Sequence, residues 1–209
     1  MSTPQTAEAP VRSHPSPPPA PVTLSQHDRV ARILDTTLEI LDEVGPAGLQ
    51  VRDVSKRANV ALATLYRYFP SKDFLVASAL NHWSSGLAGR LSHPDRRRRA
   101  GGRELEGALR SVVRAFASHP HYAAAAVFAA SSPDPLVPAV LDAHQASFEA
   151  GLDAVLGDLP EAHRADVRFI IESVLIAQLV GFSSGRSTPT EMEAALQRAV
   201  RVLDLGDTT

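Results

Sequence analysis

The stretch from Gln50 to Lys72, QVRDVSKRANVALATLYRYFPSK, gathers the side chains best suited to meeting a polyanion. Arg52, Lys56, Arg57, Arg67 and Lys72 are opposed there by Asp53 alone, in a chain whose formal charge is −2. Positive charge confined to one window suits a phosphate backbone, whereas an overall acidic balance argues against coating nucleic acid nonspecifically. Thr64, Tyr66 and Tyr68 add hydroxyls that can donate to phosphate oxygens. The Thr64 methyl and the Tyr66 ring are also suited to thymine methyls in a major groove.

Those residues need a scaffold, and the apolar spacing supplies one. Val51, Val54 and Ala58 recur at helical period, Asn59 interrupts, and Val60 and Leu65 resume the pattern up to Pro70. Asn tolerates a left-handed backbone, so the spacing predicts two short helices joined by a tight turn, a helix-turn-helix unit. Leu62 and Ala63 fall at the N-terminal end of the second helix, the part of a recognition helix that usually meets base edges. Ser71 is placed to cap the next helix, whose positive end would lie beside Lys72. Arg52 and Gln50 are further candidate contacts.

The run Ala63-Thr64-Leu65-Tyr66-Arg67-Tyr68-Phe69-Pro70-Ser71-Lys72 resembles the signature of the TetR family of one-component transcriptional repressors. The likeness reaches back to Arg29. Asn59 stands where the family usually has Gly, and Gln50 where it usually has Ser or Thr. Both features, with the TLYRYFPSK wording, are similar to the branch that controls sterol catabolism in actinobacteria. The resemblance implies an all-α fold of about nine helices. It comprises a three-helix DNA-binding head and a C-terminal helical domain for effector binding and dimerisation. It also implies a homodimer on a near-palindromic double-stranded operator, released by a small apolar effector such as an acyl-CoA or a steroid-like molecule. An activator of the same fold, or a small-molecule-binding protein with vestigial DNA binding, would share these residues.

Composition fits a soluble globular chain, with 44% hydrophobic and 21% charged residues among 209. No cysteine is present, which removes disulfides, thiolate nucleophiles and Cys-ligated metals. No secretory signal or spanning segment is visible, so a cytoplasmic protein without membrane contact is expected. Residues 1–24 carry seven prolines and few large apolar side chains, which predicts a disordered tail. Residues 25–70 would then form the DNA-binding domain and 71–209 the effector-binding and dimerisation domain.

Ser25 with Asp28 marks a helix start, and Val30, Ile33, Leu34, Leu38, Leu41 and Val44 give its apolar stripe, ended by Gly45-Pro46. Leu49, Val54, Leu65 and Phe69 should complete a small core. A longer helix is expected from Ser71 to about Leu91, packed through Phe74, Leu75, Ala79, Trp83, Leu87 and Leu91. His93 to Gly102 reads as a loop, in which Arg96, Arg97, Arg98 and Arg99 form a charge cluster without an assigned role. Helical patterns follow over residues 105–116, 122–130, 140–155 and 161–182, and Thr190 with Glu193 matches a capping box for a last helix over 191–205.

By the family resemblance, an effector pocket lies among the middle helices, with Trp83, Phe116, Tyr122, Phe128, His144, Phe148, Gln178 and Phe182 nearest it. The last two helices are apolar over too wide an arc for one core. Val167, Ile171, Val174, Leu175, Leu196, Val200 and Leu203 are therefore expected to form the dimer interface. Enzymatic readings fail on context. Gly181-Phe182-Ser183-Ser184-Gly185 matches a hydrolase elbow, yet no strand precedes it and all eight histidines lie before Ser183. No metal-ligand spacing, phosphate loop or dinucleotide fingerprint occurs, so neither a catalytic residue nor a metal or cofactor is expected.

Overall fold

The computed structural model describes residues 26–91, 101–157, 159–203 and 205, without the side chains of 87–91. The proline-rich segment, Ser25, Leu87, Leu91 and the Arg96–Arg99 cluster lie outside that description. Nine helices and no strand occur among the described residues: α1 Gln26–Gly48, α2 Val51–Arg57, α3 Leu62–Tyr68, α4 Lys72–Leu91, α5 Gly102–Ser118, α6 Pro120–Ala130, α7 Val137–Leu156, α8 Glu161–Ser183 and α9 Pro189–Val202.

The first three helices form a head around Leu49, Val54, Leu65 and Phe69, all buried. Gly45 breaks α1 at φ 68°, ψ 177°, yet the chain makes one further turn through Pro46, and the Leu49 amide returns to the Gly45 carbonyl at 3.2 Å. The helix is therefore kinked where the pattern predicts an end, and the extra turn delivers Leu49 to the core. Val44 departs from the expected stripe: just ahead of the kink it is 51% exposed. Asn59 adopts φ 52°, the one positive φ outside glycine among the described residues. Its amide closes on the Lys56 carbonyl at 3.1 Å and that of Val60 on the Ser55 carbonyl at 3.0 Å, which sets α3 across α2.

Ser71 caps α4 by accepting the Phe74 amide at 2.9 Å. Helix α4 then runs into the body, buries Leu75, Val76, Ala77, Ala79 and Leu80, and packs against α1, α6 and α7. Helix α8 packs on α6 and α9, and α9 on α5. The row Val167, Ile171, Leu175 and Leu179 of α8 is buried, as are Met192, Leu196 and Val200 of α9. This corrects the expected interface. Val167, Ile171, Leu175, Leu196 and Val200 serve the chain's own core, while Val174 and Leu203 are half-buried against it. Periodicity reveals two apolar rows on α8 but not which one faces inward. The row left outside carries Phe169, Ile170 and Ile176, the first 72% exposed.

The capping box is also displaced. Thr188, not Thr190, accepts the Glu191 amide at 3.3 Å, and Glu191 accepts the Thr188 amide at 2.8 Å. Both registers spell Thr-x-x-Glu, and Pro189 decides between them because its fixed φ suits the first helical position. Helix α9 accordingly ends at Val202 rather than Leu205. Ser183 closes α8 with its hydroxyl on the Val180 carbonyl at 3.1 Å, a helix end instead of a nucleophile turn.

The left-handed turn yields a direct expectation. Asn59→Gly should leave stability within a few tenths of a kcal/mol or raise it slightly, whereas Asn59→Val should cost about 1–2 kcal/mol. Urea denaturation of the two variants beside the parent chain measures the difference.

Candidate nucleic-acid interface and effector cavity

Helix α3 buries Leu65 in the head and turns Ala63, Tyr66 and Arg67 outward, Tyr66 at 44% exposure. Leu62, Thr64 and Tyr68 are half-buried along its flanks. Gln50 sits exposed at the N-cap of α2 without a side-chain capping bond, so its amide is available to a ligand, and Arg52 is exposed beside it. The five cations divide by partner. Arg57 grips Glu43 through two hydrogen bonds of 2.5 and 3.0 Å, and Lys56 lies 3.8 Å from Asp53. Arg67 stacks 5.2 Å over the Tyr68 ring and reaches its hydroxyl at 3.4 Å. That contact, helped by Arg29, holds the Tyr68 hydroxyl below the usual tyrosine range.

Lys72 is half-buried and engaged inside the chain. Its ammonium donates to the Ala47 carbonyl at 3.4 Å and lies 5.8 Å from the Phe128 ring centre, so it bridges the last turn of α1, the start of α4 and helix α6. Arg52 has no ion-pair partner among the described residues. Its charge is the least compensated of the five.

Behind the head, α4 to α8 enclose a cavity of about 250 Å³. One water needs only about 10–15 Å³ on such a measure, so the space suits a ligand and is no packing defect. Trp83, Phe116, His144 and Phe148 line it, with Trp83 edge-on to Phe116 at 5.0 Å. Asn81, Ser84, Gln145 and Glu172 bring the polar groups. The other four candidates lie elsewhere. Phe128 backs Lys72, while Gln178 and Phe182 are half-buried on α8 away from the lining. Tyr122 is buried behind Trp83, its ring 5.1 Å away, and donates its hydroxyl to the Leu38 carbonyl of α1 at 3.1 Å. Burial, with Asp42 and Glu39 nearby, pushes that phenol up to about 12.

Further links, between head and body and within the body, escaped sequence reasoning. His82 meets Asp35 at 3.0 Å, and His121 Nδ1 meets the Asp42 carbonyl at 2.8 Å. His119 Nδ1 approaches the Asp42 carboxylate at 3.2 Å, within ion-pair range but off-line for a hydrogen bond. Ser132 donates to Asp73 at 2.5 Å, and Ser71 donates to Asp134, so the turn between α6 and α7 is latched to the first turn of α4. None of these pairs has a local sequence signature, because each joins helices distant in the chain. Glu172 and Asn81 left a weaker trace as polar residues next to apolar runs, Ile170-Ile171 before Glu172 and Ala79-Leu80 before Asn81.

Comparison with known proteins supplies the lineage. Residues 33–79 match the family model described as bacterial regulatory proteins, tetR family, and residues 102–203 match a tetracyclin repressor-like C-terminal domain. The HTH-type transcriptional repressor KstR of Rhodococcus jostii is 32% identical over 184 residues, covering 88% of this chain and 85% of that protein. The chain belongs to the TetR family. KstR of Mycobacterium tuberculosis is likewise 32% identical, over 88% of this TetR-family chain and 83% of its own. A TetR transcriptional regulator from Rhodococcus shares the fold at a TM-score of 0.74 and 23% identity, covering 85% of this chain and 96% of that one. Thermus thermophilus FadR in complex with lauroyl-CoA aligns with a TM-score of 0.67 at 15% identity, covering 83% and 92%. No helix among the described residues is long and apolar enough to cross a membrane.

Two measurements test this geometry. Burial, then the charge of Glu149, pushes the Glu172 carboxyl above its ordinary value, with Arg168 opposing. A raised folded-state pKa means that stability is fully present below the unfolded value and falls as pH rises through the folded one. Glu172→Gln should therefore raise the melting temperature at pH 7 and change it little at pH 4, as read by circular dichroism melts. Tyr122→Phe should lower stability by about 0.5–1.5 kcal/mol through loss of the bond to Leu38, measured by urea denaturation.

Proposed function

We propose that this protein is a cytoplasmic homodimeric repressor that binds a near-palindromic operator through α3 and releases it on binding an apolar effector. The observation that carries the reading is the outward face of α3, with Ala63, Tyr66 and Arg67 exposed beside Arg52 and Gln50. Kinship with the KstR repressors supports the regulatory role. Residues 25–70 act as the DNA-binding domain and 71–209 as the effector-binding and dimerisation domain. Leu62, Ala63 and Tyr66 meet base edges, while Thr64, Tyr68, Arg67, Lys72, Arg52 and Gln50 position the backbone. No catalytic step is needed.

The exposed apolar row Phe169, Ile170 and Ile176 of α8 faces a second copy of the chain. A twofold pair sets the recognition helices on successive major grooves, which favours a palindrome. The apolar cavity wall, including Trp83, Phe116 and Phe148, supports an acyl-CoA or steroid-like effector. FadR regulators of similar fold are complexed with lauroyl-CoA and stearoyl-CoA. Release follows because the effector prefers a packing in which the heads no longer match the groove spacing; tight binding alone would shift nothing.

Fluorescence anisotropy with DNA from upstream of the protein's own gene tests the DNA contacts. Arg52→Ala and Arg67→Ala should each weaken binding and reduce the slope of log affinity against log salt by about one unit. Tyr66→Ala should relax sequence preference instead. Unchanged affinity and slope in both arginine variants would remove the assignment of this surface. Phe169→Asp with Ile176→Asp should convert a dimer to monomer in size-exclusion light scattering; a dimer that persists relocates the interface.

A further inference from the structure

The cavity wall carries acceptors that no protein group satisfies. Asn81 Oδ1 of α4 and Glu172 Oε1 of α8 are buried without a hydrogen-bond partner, and both residues line the cavity. The polar groups around them are committed to one another. Gln145 Nε2 donates to Glu149 Oε1 at 3.0 Å and to Glu172 Oε2 at 3.4 Å, which leaves Oε1 over. Ser84 Oγ donates to the Asn81 main-chain carbonyl at 3.1 Å and lies 2.7 Å from His144 Nδ1. A hydroxyl has one proton, so where Ser84 gives it to the Asn81 carbonyl the His144 Nδ1 carries the other. Burial holds His144 below its ordinary pKa and hence neutral. His144 and Gln145 are successive residues of α7, so Ser84 of α4 and Glu172 of α8 reach the same turn of that helix.

A buried acceptor without a donor is costly, and a bound donor recovers the loss. Charge narrows the ligand further. None of the lining residues is Lys or Arg, and a carboxylate at Glu172 offers an anion nothing to pair with. A carboxylate or phosphate taken inside would be desolvated with no countercharge.

We propose that the effector presents an uncharged hydrogen-bond donor, a hydroxyl on an otherwise apolar framework, and that its one proton goes to Asn81 or Glu172. This rests on the reading of the cavity as the effector site. Where the effector is a thioester of a charged carrier, the hydroxyl belongs to the buried acyl part and the carrier remains outside.

Trp83, the chain's one tryptophan, lines the cavity, so its fluorescence reports binding without DNA. Five probes suffice: androsterone against androstanedione, and lauryl alcohol against lauryl methyl ether and laurate. On the full-length protein at neutral pH each alcohol should bind about tenfold tighter than its ketone or ether, with laurate weakest. At least one of Asn81→Leu and Glu172→Leu should bring that preference down to about twofold while retaining affinity for the ketone and ether. Equal affinities within each pair, a preference unmoved in both variants, or laurate binding as well as the alcohol overturns the hydroxyl assignment and leaves the DNA-binding role intact. Silence of Trp83 toward all five probes overturns the cavity reading as well. A clear alcohol preference with DNA binding that no alcohol relieves supports the assignment and overturns effector release instead.

Discussion

One helix has to serve two cores. From Ile33 to Leu41 every residue of α1 is buried except Asp35 and Glu39, so the helix is enclosed on nearly all sides along this length. On one side it packs against α2 of the head, and on the others against α4 and α6 of the body. Even Thr36 and Thr37 are inside, Thr37 returning its hydroxyl to the Ile33 carbonyl at 2.7 Å. An amphipathic surface helix leaves a wide polar face in water. This one has only a narrow strip, and Asp35 uses it to reach His82. A rearrangement that shifts α4 or α6 against α1 therefore disturbs the wall on which the head is built.

The contacts that could carry such a shift are short and polar. Trp83 faces the cavity and also abuts Tyr122, and Tyr122 holds the Leu38 carbonyl of α1. A second connection runs through the turn after α6, where Ser132 and Asp134 engage Asp73 and Ser71 beside the end of α3. The Ser71 hydroxyl, with the Leu136 amide, holds the Asp134 carboxyl below its usual range. Adjacency does not itself make a switch; two packings of comparable free energy are also required. A cavity of about 250 Å³ lies at the far end of the first connection, with Trp83 in its wall.

The helix-turn-helix was legible because its determinants are local. Asn59 at a left-handed position, Ser71 at a cap and the Val54–Leu65–Phe69 core each follow from residues within one short stretch of chain. The aromatic and cationic side chains of α3 sit on a helix so short that burying Leu65 leaves Ala63, Tyr66 and Arg67 outside. Half of the expected cavity side chains also line it: Trp83, Phe116, His144 and Phe148 do, while Tyr122 and Phe128 brace the head and Gln178 and Phe182 stand apart.

What the sequence by itself determined is the class of fold, the order of the helices and the charge and aromatic content of α3. Those depend on propensity, periodicity and caps, which act within a turn or two of chain. Tertiary structure alone decided which apolar row of α8 faces inward, because Val167 and Ile170 are equally apolar and only the seating of α6 and α9 separates them. It also decided that Lys72 leans on Ala47 and that Asn81 and Glu172 line one cavity from α4 and α8. Such pairings join residues tens of positions apart, and their partners exist only once the helices have packed.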